Sequence, residues 1–287
     1  MSVDLHIHSY FSDGSDSPAA IVHLAKERGL RHIAITDHDC ASGVPEAMAA
    51  GLERDVRVTS GIEISVRHGG VPIHLLGYGF IPDHRDLTSF MTTMQKERQE
   101  RNRTILDKLA ECGLAVSLED VVGEAGKGQI GRPHLAKILV KKGYVPTLDE
   151  AFRQYLGRGA RAYVPRPEHS AEEAIAVLHA AGGVTSLAHP ANIDLSLQSI
   201  PNLAAELAVL GLDGIEAHYP THSKAMREKL IEIAKKNSMI VTGGSDYHGA
   251  LRPESSLAGS RRFRVPEQVG RAVLARLANR GQMTEDG

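Results

Sequence analysis

The chain has 287 residues, enough for one barrel-sized domain or two smaller ones, and its 42% apolar and 24% charged content is that of an ordinary globular protein. A formal net charge of −2 sets up no global field toward nucleic acid or an anionic membrane, and two cysteines, Cys40 and Cys112, supply no disulfide framework. The first strand pattern starts at residue 3, which leaves no room for a leader, and no apolar run reaches about 18 residues; a cytoplasmic protein without a membrane partner is expected.

In chain order, VDLHIH reads as an opening strand, and SPAAIVHLAKERG follows as an amphipathic helix with a Ser-Pro start and a glycine stop. HIAIT, VRVTSGIEISV and VPIHLLGYGF read as further strands. The strand signal then disappears. A long charged helix, FMTTMQKERQERNRTILDKLAECG, precedes shorter helical pieces around LEDVVGEAG, RPHLAKILVKKG and LDEAFRQYLG. Strand and helix alternate again in AIAVLHAAGG, VTSLAHP, LAAELAVLGL, DGIEAHY, KAMREKLIEIAKKN and MIVTGGSDYHG. Such alternation implies parallel strands with helices outside them, an α/β sheet or barrel. The expected division is a barrel from residues 1–95 and 165–287 with a helical insertion at 96–164. Residues 96–166 hold 14 Lys and Arg against 9 Asp and Glu, whereas the rest holds 19 against 26. The insertion therefore reads either as a solvated helical surface or as a basic lid facing an anionic substrate.

Polar residues collect at the strand ends. His6 and His8, two apart on an extended segment, project to one face, and Asp13 lies in the SDGS loop beyond them. The second strand ends in Asp37-His38-Asp39, the third ends near Gly61-Ile62-Glu63, and the fourth carries His74 between apolar neighbours. Two later strands end in His189-Pro190 and in Asp246-Tyr247-His248. The C-terminal edge of a parallel barrel is where such groups converge, and unpaired polar groups there are costly without a metal or hydrogen-bond partners. Imidazole mixed with carboxylate and no thiolate suits Zn, Mn or Fe. Nine candidates (His6, His8, Asp13, His38, Glu63, His74, His189, Asp246 and His248) exceed what one ion takes, so two or three ions sharing bridging carboxylates are expected. Clusters of that kind serve hydrolysis, because bound water becomes hydroxide near neutral pH. His23, His32, His68, His84, His169 and His179 are expected at the surface. Cys40 reads as a packing residue, Glu216 as a buried strand-end partner, and GKGQIG lacks the spacing of a phosphate-binding P-loop.

Taken in order, HIH with SDG, then TDHD, GIE, a strand histidine, AHP and GSDYH resemble the motifs of the PHP (polymerase and histidinol phosphatase) family, over residues 3 to about 80 and about 170 to 250. The insertion with its GRPHLA resembles that of the stand-alone phosphoesterase subgroup, which acts on nucleotides with a 3′-phosphate, RNA ends or cyclic phosphates. The resemblance implies a distorted (β/α)7 TIM-like barrel with a helical lid and three divalent ions. It implies that His6, His8, Glu63 and Asp246 hold one ion, that Glu63 bridges to a second completed by His74 and His189, and that Asp13, His38 and His248 hold a third. Asp37 and Asp39 would orient imidazoles or simply close turns. Arg132 and His134 match the insertion motif and would bind a substrate phosphate. His222 matches a position near substrate, and His218 lies just before it at the same strand end; either could protonate the leaving oxygen.

The implied activity is metal-dependent hydrolysis of phosphate esters of small nucleotides, such as nucleoside 3′,5′-bisphosphates, or of RNA ends, with cyclic-phosphate hydrolysis as an alternative in the same family. No obligatory protein partner is implied. Two other readings are an amidohydrolase, which also uses an HxH strand but usually one or two metals, and a metal-dependent nucleic-acid-binding module. The third donor set argues against the former, and 4% aromatic content without Trp argues against stacking surfaces for single strands.

Overall fold

In the computed structural model, residues 2–125, 130–259 and 263–285 are described. The chain divides into two units, Met1–Phe90 with His169–Gly287, and Met91–Glu168. The first is built on β1 (Ser2–Asp4), α1 (Pro18–Glu27), β2 (Leu30–Ile35), α2 (Val44–Arg54), β3 (Arg57–His68) and β4 (Val71–Tyr78). A long helix, α3 (Arg85–Glu111), leads to α4 (Leu118–Ala125), α5 (Arg132–Lys141) and α6 (Leu148–Ala151). Then come α7 (Ala171–Ala180), β5 (Val184–Leu187), α8 (Ile200–Val209), β6 (Gly214–His218), α9 (Lys224–Lys236), β7 (Ile240–Gly243), β8 (Val265–Pro266) and α10 (Glu267–Glu285). No helix among the described residues is long and apolar enough to cross a membrane.

The eight strands form one sheet in the order β7-β6-β5-β4-β3-β2-β1-β8. It closes almost completely. Beyond β1 and β7 the two chain segments continue side by side, with Leu5 N–H donating to Gly243 O (3.2 Å), Asp246 N–H to His6 O (2.8 Å) and His8 N–H to Tyr247 O (2.8 Å). The result is a distorted TIM-like barrel. Its closure demands glycine at 244, where a Cβ would stand 2.2 Å from the Cβ of His6.

Two features correct the sequence reading. β4 is antiparallel to both β3 and β5, so the sheet is not uniformly parallel. The reason is local: His68 pairs with Val71, leaving Gly69-Gly70 as a two-residue loop with φ of 54° and 78°. A loop that short joins only antiparallel strands, and both central positions of such a turn favour glycine. Also, β1 ends at Asp4, so His6 and His8 lie past the regular strand.

Apolar residues fill two layers of the first unit. Val3, Leu5, Leu76, Tyr78, Val184 and Val273 pack in one cluster. Ile7, Ile21, Val22, Ile33, Ile35 and Ala47 pack in another, with side chains from α1, α2 and the strands. The second unit is helical with its own core of Ile105, Leu109, Val121, Leu135, Leu139 and Leu156. Part of its positive surplus is paired: Lys142 meets Asp120 at 2.6 Å, and Arg153 pairs with Glu150. Residues 126–129, most of the GKGQIG stretch, lie outside the described residues.

Candidate metal centre

Glu63 is the hub. It sits mid-way along β3, 1% exposed, with the chain beyond β2 against one side of it and β4 against the other. His38 pairs with it directly, and Asp39 N–H donates to Glu63 O at 2.8 Å. On the other side His74 lies opposite Ser65, on the face that Glu63 shares, and its Nδ1 approaches Glu63 Oε1 to 2.7 Å. His189 Nε2 reaches the same oxygen at 2.9 Å. Glu63 Oε2 faces three imidazoles: His6 Nε2 (3.2 Å), His8 Nε2 (3.1 Å) and His38 Nδ1 (3.2 Å).

Asp246 and Asp13 extend the cluster. Asp246 Oδ1 lies 3.1 Å from His8 Nε2 and 3.5 Å from His6 Nε2. Asp13 Oδ1 lies 3.3 Å from His248 Nε2 and 3.6 Å from His8 Nδ1, and its Oδ2 is 3.9 Å from His38 Nε2. All nine sequence candidates therefore fall in one place. They form four overlapping donor groups: His8-Asp13-His38-His248, His6-Glu63-His189, His6-His8-Asp246 and His38-Glu63-His74. His6, His8, His38 and Glu63 each belong to two of these groups.

These residues fit divalent ions. His8 Nε2, His38 Nδ1 and His248 Nε2 are buried without a hydrogen-bond partner, although each lies 3.1–3.3 Å from a carboxylate oxygen. Two ligands each bonded at about 2.1 Å to one ion stand roughly 3.0–3.4 Å apart. A lone pair that passes a carboxylate at that distance without aligning on it is placed to converge with it on a third point. The charge balance agrees. Burial alone would raise the Glu63 pKa, but His38, His6 and His74 hold it well below the ordinary carboxylate range. Burial would lower the His8 pKa, yet the carboxylates of Asp246 and Glu63 beside the ring lift it to about 10. Cation binding satisfies the same carboxylates that otherwise retain protons on these rings.

Backbone strain marks the centre. Asp39, His189 and Asp246 all have positive φ (50°, 28° and 52°), a conformation that costs a non-glycine residue about 1–3 kcal/mol. Hydrogen bonds hold it. Glu216, 0% exposed, receives His6 Nδ1 on Oε1 (3.0 Å) and His189 N–H on Oε2 (2.7 Å). Asp4 accepts from Ser245 N–H (2.8 Å) and Ala258 N–H (2.9 Å), and its burial pushes its pKa up to about 6. Asp37 bonds no imidazole. It accepts from Ser9 N–H, Ser9 Oγ and Ser12 Oγ (2.8, 2.6 and 2.6 Å), fixing the loop that carries Asp13. Asp39 Oδ1 accepts from Ser65 N–H (2.8 Å).

A cavity of about 310 Å³ opens against the ligands, lined by His38, Glu63, His74, His189 and Asp246 together with Pro72, Ile73, Asn192, Ile193, Tyr219 and Arg252. His222 is 2% exposed; its Nδ1 donates to Ala217 O (3.0 Å), and its Nε2 is buried without a partner. Burial lowers the pKa of both His222 and the half-buried His218. Neither is among the residues lining this cavity. Arg132 and His134 belong to the helical unit. Arg132 donates to Leu156 O (3.2 Å) and lies over the Tyr163 ring (5.8 Å), while His134 Nδ1 accepts from Gly131 N–H (3.1 Å) at the start of α5. Arg132, Arg166 and Arg98 lie around Arg101, and burial with their repulsion lowers its pKa to about 10. Of the histidines expected at the surface, His32 is instead buried in β2 on Thr59 (2.7 Å), and His179 bonds buried Asp213 (2.9 Å).

The ordered ligand motifs on a distorted barrel agree with a comparison against known families, in which a family described as PHP domain matches residues 4–160, more than half of the chain. The chain belongs to the PHP-domain family. Among PHP relatives, a 5′-3′ exoribonuclease of Haemophilus influenzae is 34% identical over 85% of this chain and 89% of its own length. A 3′,5′-nucleoside bisphosphate phosphatase of Chromobacterium violaceum is 32% identical over 86% and 87%. A solved structure from Bifidobacterium adolescentis, named as a metal-dependent phosphoesterase, superposes with a TM-score of 0.83 at 32% identity, covering 96% of each chain.

Proposed function

We propose that this PHP-domain protein is a metal-dependent phosphohydrolase acting on phosphate esters of small nucleotides, such as nucleoside 3′,5′-bisphosphates, or on RNA ends, with three divalent ions (Mn, Fe or Zn) held by the nine clustered side chains. The observation that carries it is the convergence on Glu63: five imidazoles lie within 3.2 Å of its two oxygens, beside a cavity of nucleotide scale. Divalent ions bound there supply an activated water and neutralise charge on the phosphoryl group. The chain's own part is to fix the ligands. Glu216 holds His6 and His189 in one orientation, and Asp37 and Asp4 hold the loops bearing Asp13 and Asp246. His222 and His218 are the proposed acids for the leaving oxygen; with Nδ1–H on Ala217 O, His222 would act from Nε2 only as the doubly protonated ring, a form that its burial disfavours. Arg132 and His134, in the helical unit, are proposed to bind the substrate phosphate.

The relatives named above support the phosphate-ester class, one acting on RNA and one on a nucleoside bisphosphate by name. The additional donor group of His8, Asp13, His38 and His248 disfavours an amidohydrolase, which usually has one or two metals. A panel of phosphate esters that includes nucleoside 3′,5′-bisphosphates, with an amide panel beside it, tests the proposal. Phosphate release should depend on added divalent metal and fall by at least about 10³-fold in His6→Ala and His189→Ala. Full activity in either variant, or turnover of amides alone, would sink it.

A further inference from the structure

The two oxygens of Asp246 have different surroundings. Oδ1 faces His8, His6 and His248, whereas Oδ2 accepts from Tyr219 OH (2.7 Å) and from an Arg252 NH group (2.9 Å). Tyr219 already turns Oδ2 away from the imidazoles, so holding Asp246 does not require an arginine. A guanidinium has five N–H donors in a rigid fork, and Asp246 uses one edge of it. Arg252 lines the cavity: its side chain is 44% exposed, and it is the only Arg or Lys among the described residues that do so. The loop that carries it is tied down. Ser255 Oγ donates to Ser245 O and Asp246 O, and Ala250 N–H donates to Ser15 Oγ (2.9 Å). Pro72, Ile73 and Ile193 add an apolar stretch of wall to the same cavity.

We propose that Arg252 is a substrate-anchoring residue: the donors not engaged by Asp246 bind a phosphate oxygen of the substrate, while its organic part rests against Pro72, Ile73 and Ile193. The inference rests on the phosphohydrolase reading and names a phosphate contact within it. A guanidinium held in place by Asp246 suits this task, because part of its ordering cost is already met and its hydrogen bonds to phosphate are charge-assisted.

The test uses the full chain loaded with Mn²⁺, with inorganic phosphate as the probe in calorimetry, metal content measured on the same samples, and steady-state kinetics on a nucleoside 3′,5′-bisphosphate. Arg252→Ala should keep the wild-type metal content and bind inorganic phosphate about 10- to 100-fold more weakly, with KM rising more than kcat falls. Arg252→Lys should recover part of the affinity. Wild-type phosphate affinity in Arg252→Ala overturns the anchor while leaving the phosphohydrolase reading intact. So does a loss that tracks lost metal, which would make Arg252 only a brace for Asp246. A wild-type protein that neither binds inorganic phosphate nor hydrolyses the ester overturns both.

Discussion

Both oxygens of Glu216 are committed to neighbours that belong to the metal centre, at a site with no exposure to water. Removing an acceptor there frees the His6 ring to turn and leaves the His189 N–H unpaired, in a residue already strained at φ 28°. Glu216→Ala should therefore weaken metal binding by about 10- to 100-fold in competition with a chelator, and Glu216→Gln, which keeps an acceptor oxygen, should weaken it less. Equal affinity in all three proteins would show that Glu216 is only a core residue. Six of the nine clustered donors are legible locally, because they stand at or just past strand ends in HIH, TDHD, AHP and SDYH, whereas Asp13 follows in a loop and Glu63 and His74 lie within β3 and β4. Glu216 is legible as a buried strand-end partner, but the groups it serves are not, and neither are the roles of Asp4 and Arg252. Glu216 meets His6 across 210 residues of chain, and Asp4 meets Ser245 across 241, so nothing in their own neighbourhood announces the partner.

β2 and the β3–β4 hairpin show what an element adds to its residues. The Gly69-Gly70 loop reverses β4, and that reversal sets His74 opposite Ser65 on the face where Glu63 points. The dipeptide is a readable hairpin signal, but the strand alternation around it favours a parallel assignment, which the turn geometry overrides. β2 holds His32, which resembles a surface histidine only because its strand's burial depends on neighbours on both sides. Burial, with Arg57 nearby, lowers the His32 pKa from about 6.5 to about 4. The unfolded chain thus takes up a proton on this ring below about pH 6.5, and the folded chain does not until about pH 4. More protons are bound to the unfolded state between these values, so stability is complete above pH 6.5 and is lost as pH falls toward 4, by at most about 3 kcal/mol. Urea unfolding at pH 7.5 and pH 5 should show a smaller difference for His32→Gln than for the wild type. An unchanged difference would assign the pH dependence to other groups.

At the scale of the whole chain, the barrel unit and the helical unit divide the work differently. The barrel assembles all nine donors from both of its chain segments, Met1–Phe90 and His169–Gly287, so the site exists only when the sheet closes. The helical unit interrupts that sheet in sequence with a separate core, and Arg132 and His134 stand at the start of its α5. Its near-absence of strand signal made it legible as an insertion, whereas its function as a lid is a proposal from charge alone. The central claim is that Glu63 joins several ions into one hydrolytic centre. Metal content per chain after Mn²⁺ reconstitution and removal of free metal, compared between wild type and Glu63→Gln, tests it most directly. The wild type should hold three ions, and the variant should lose more than one of them together with its phosphate-ester hydrolysis. A variant that keeps the full complement of ions, or loses a single ion and stays active, would contradict it.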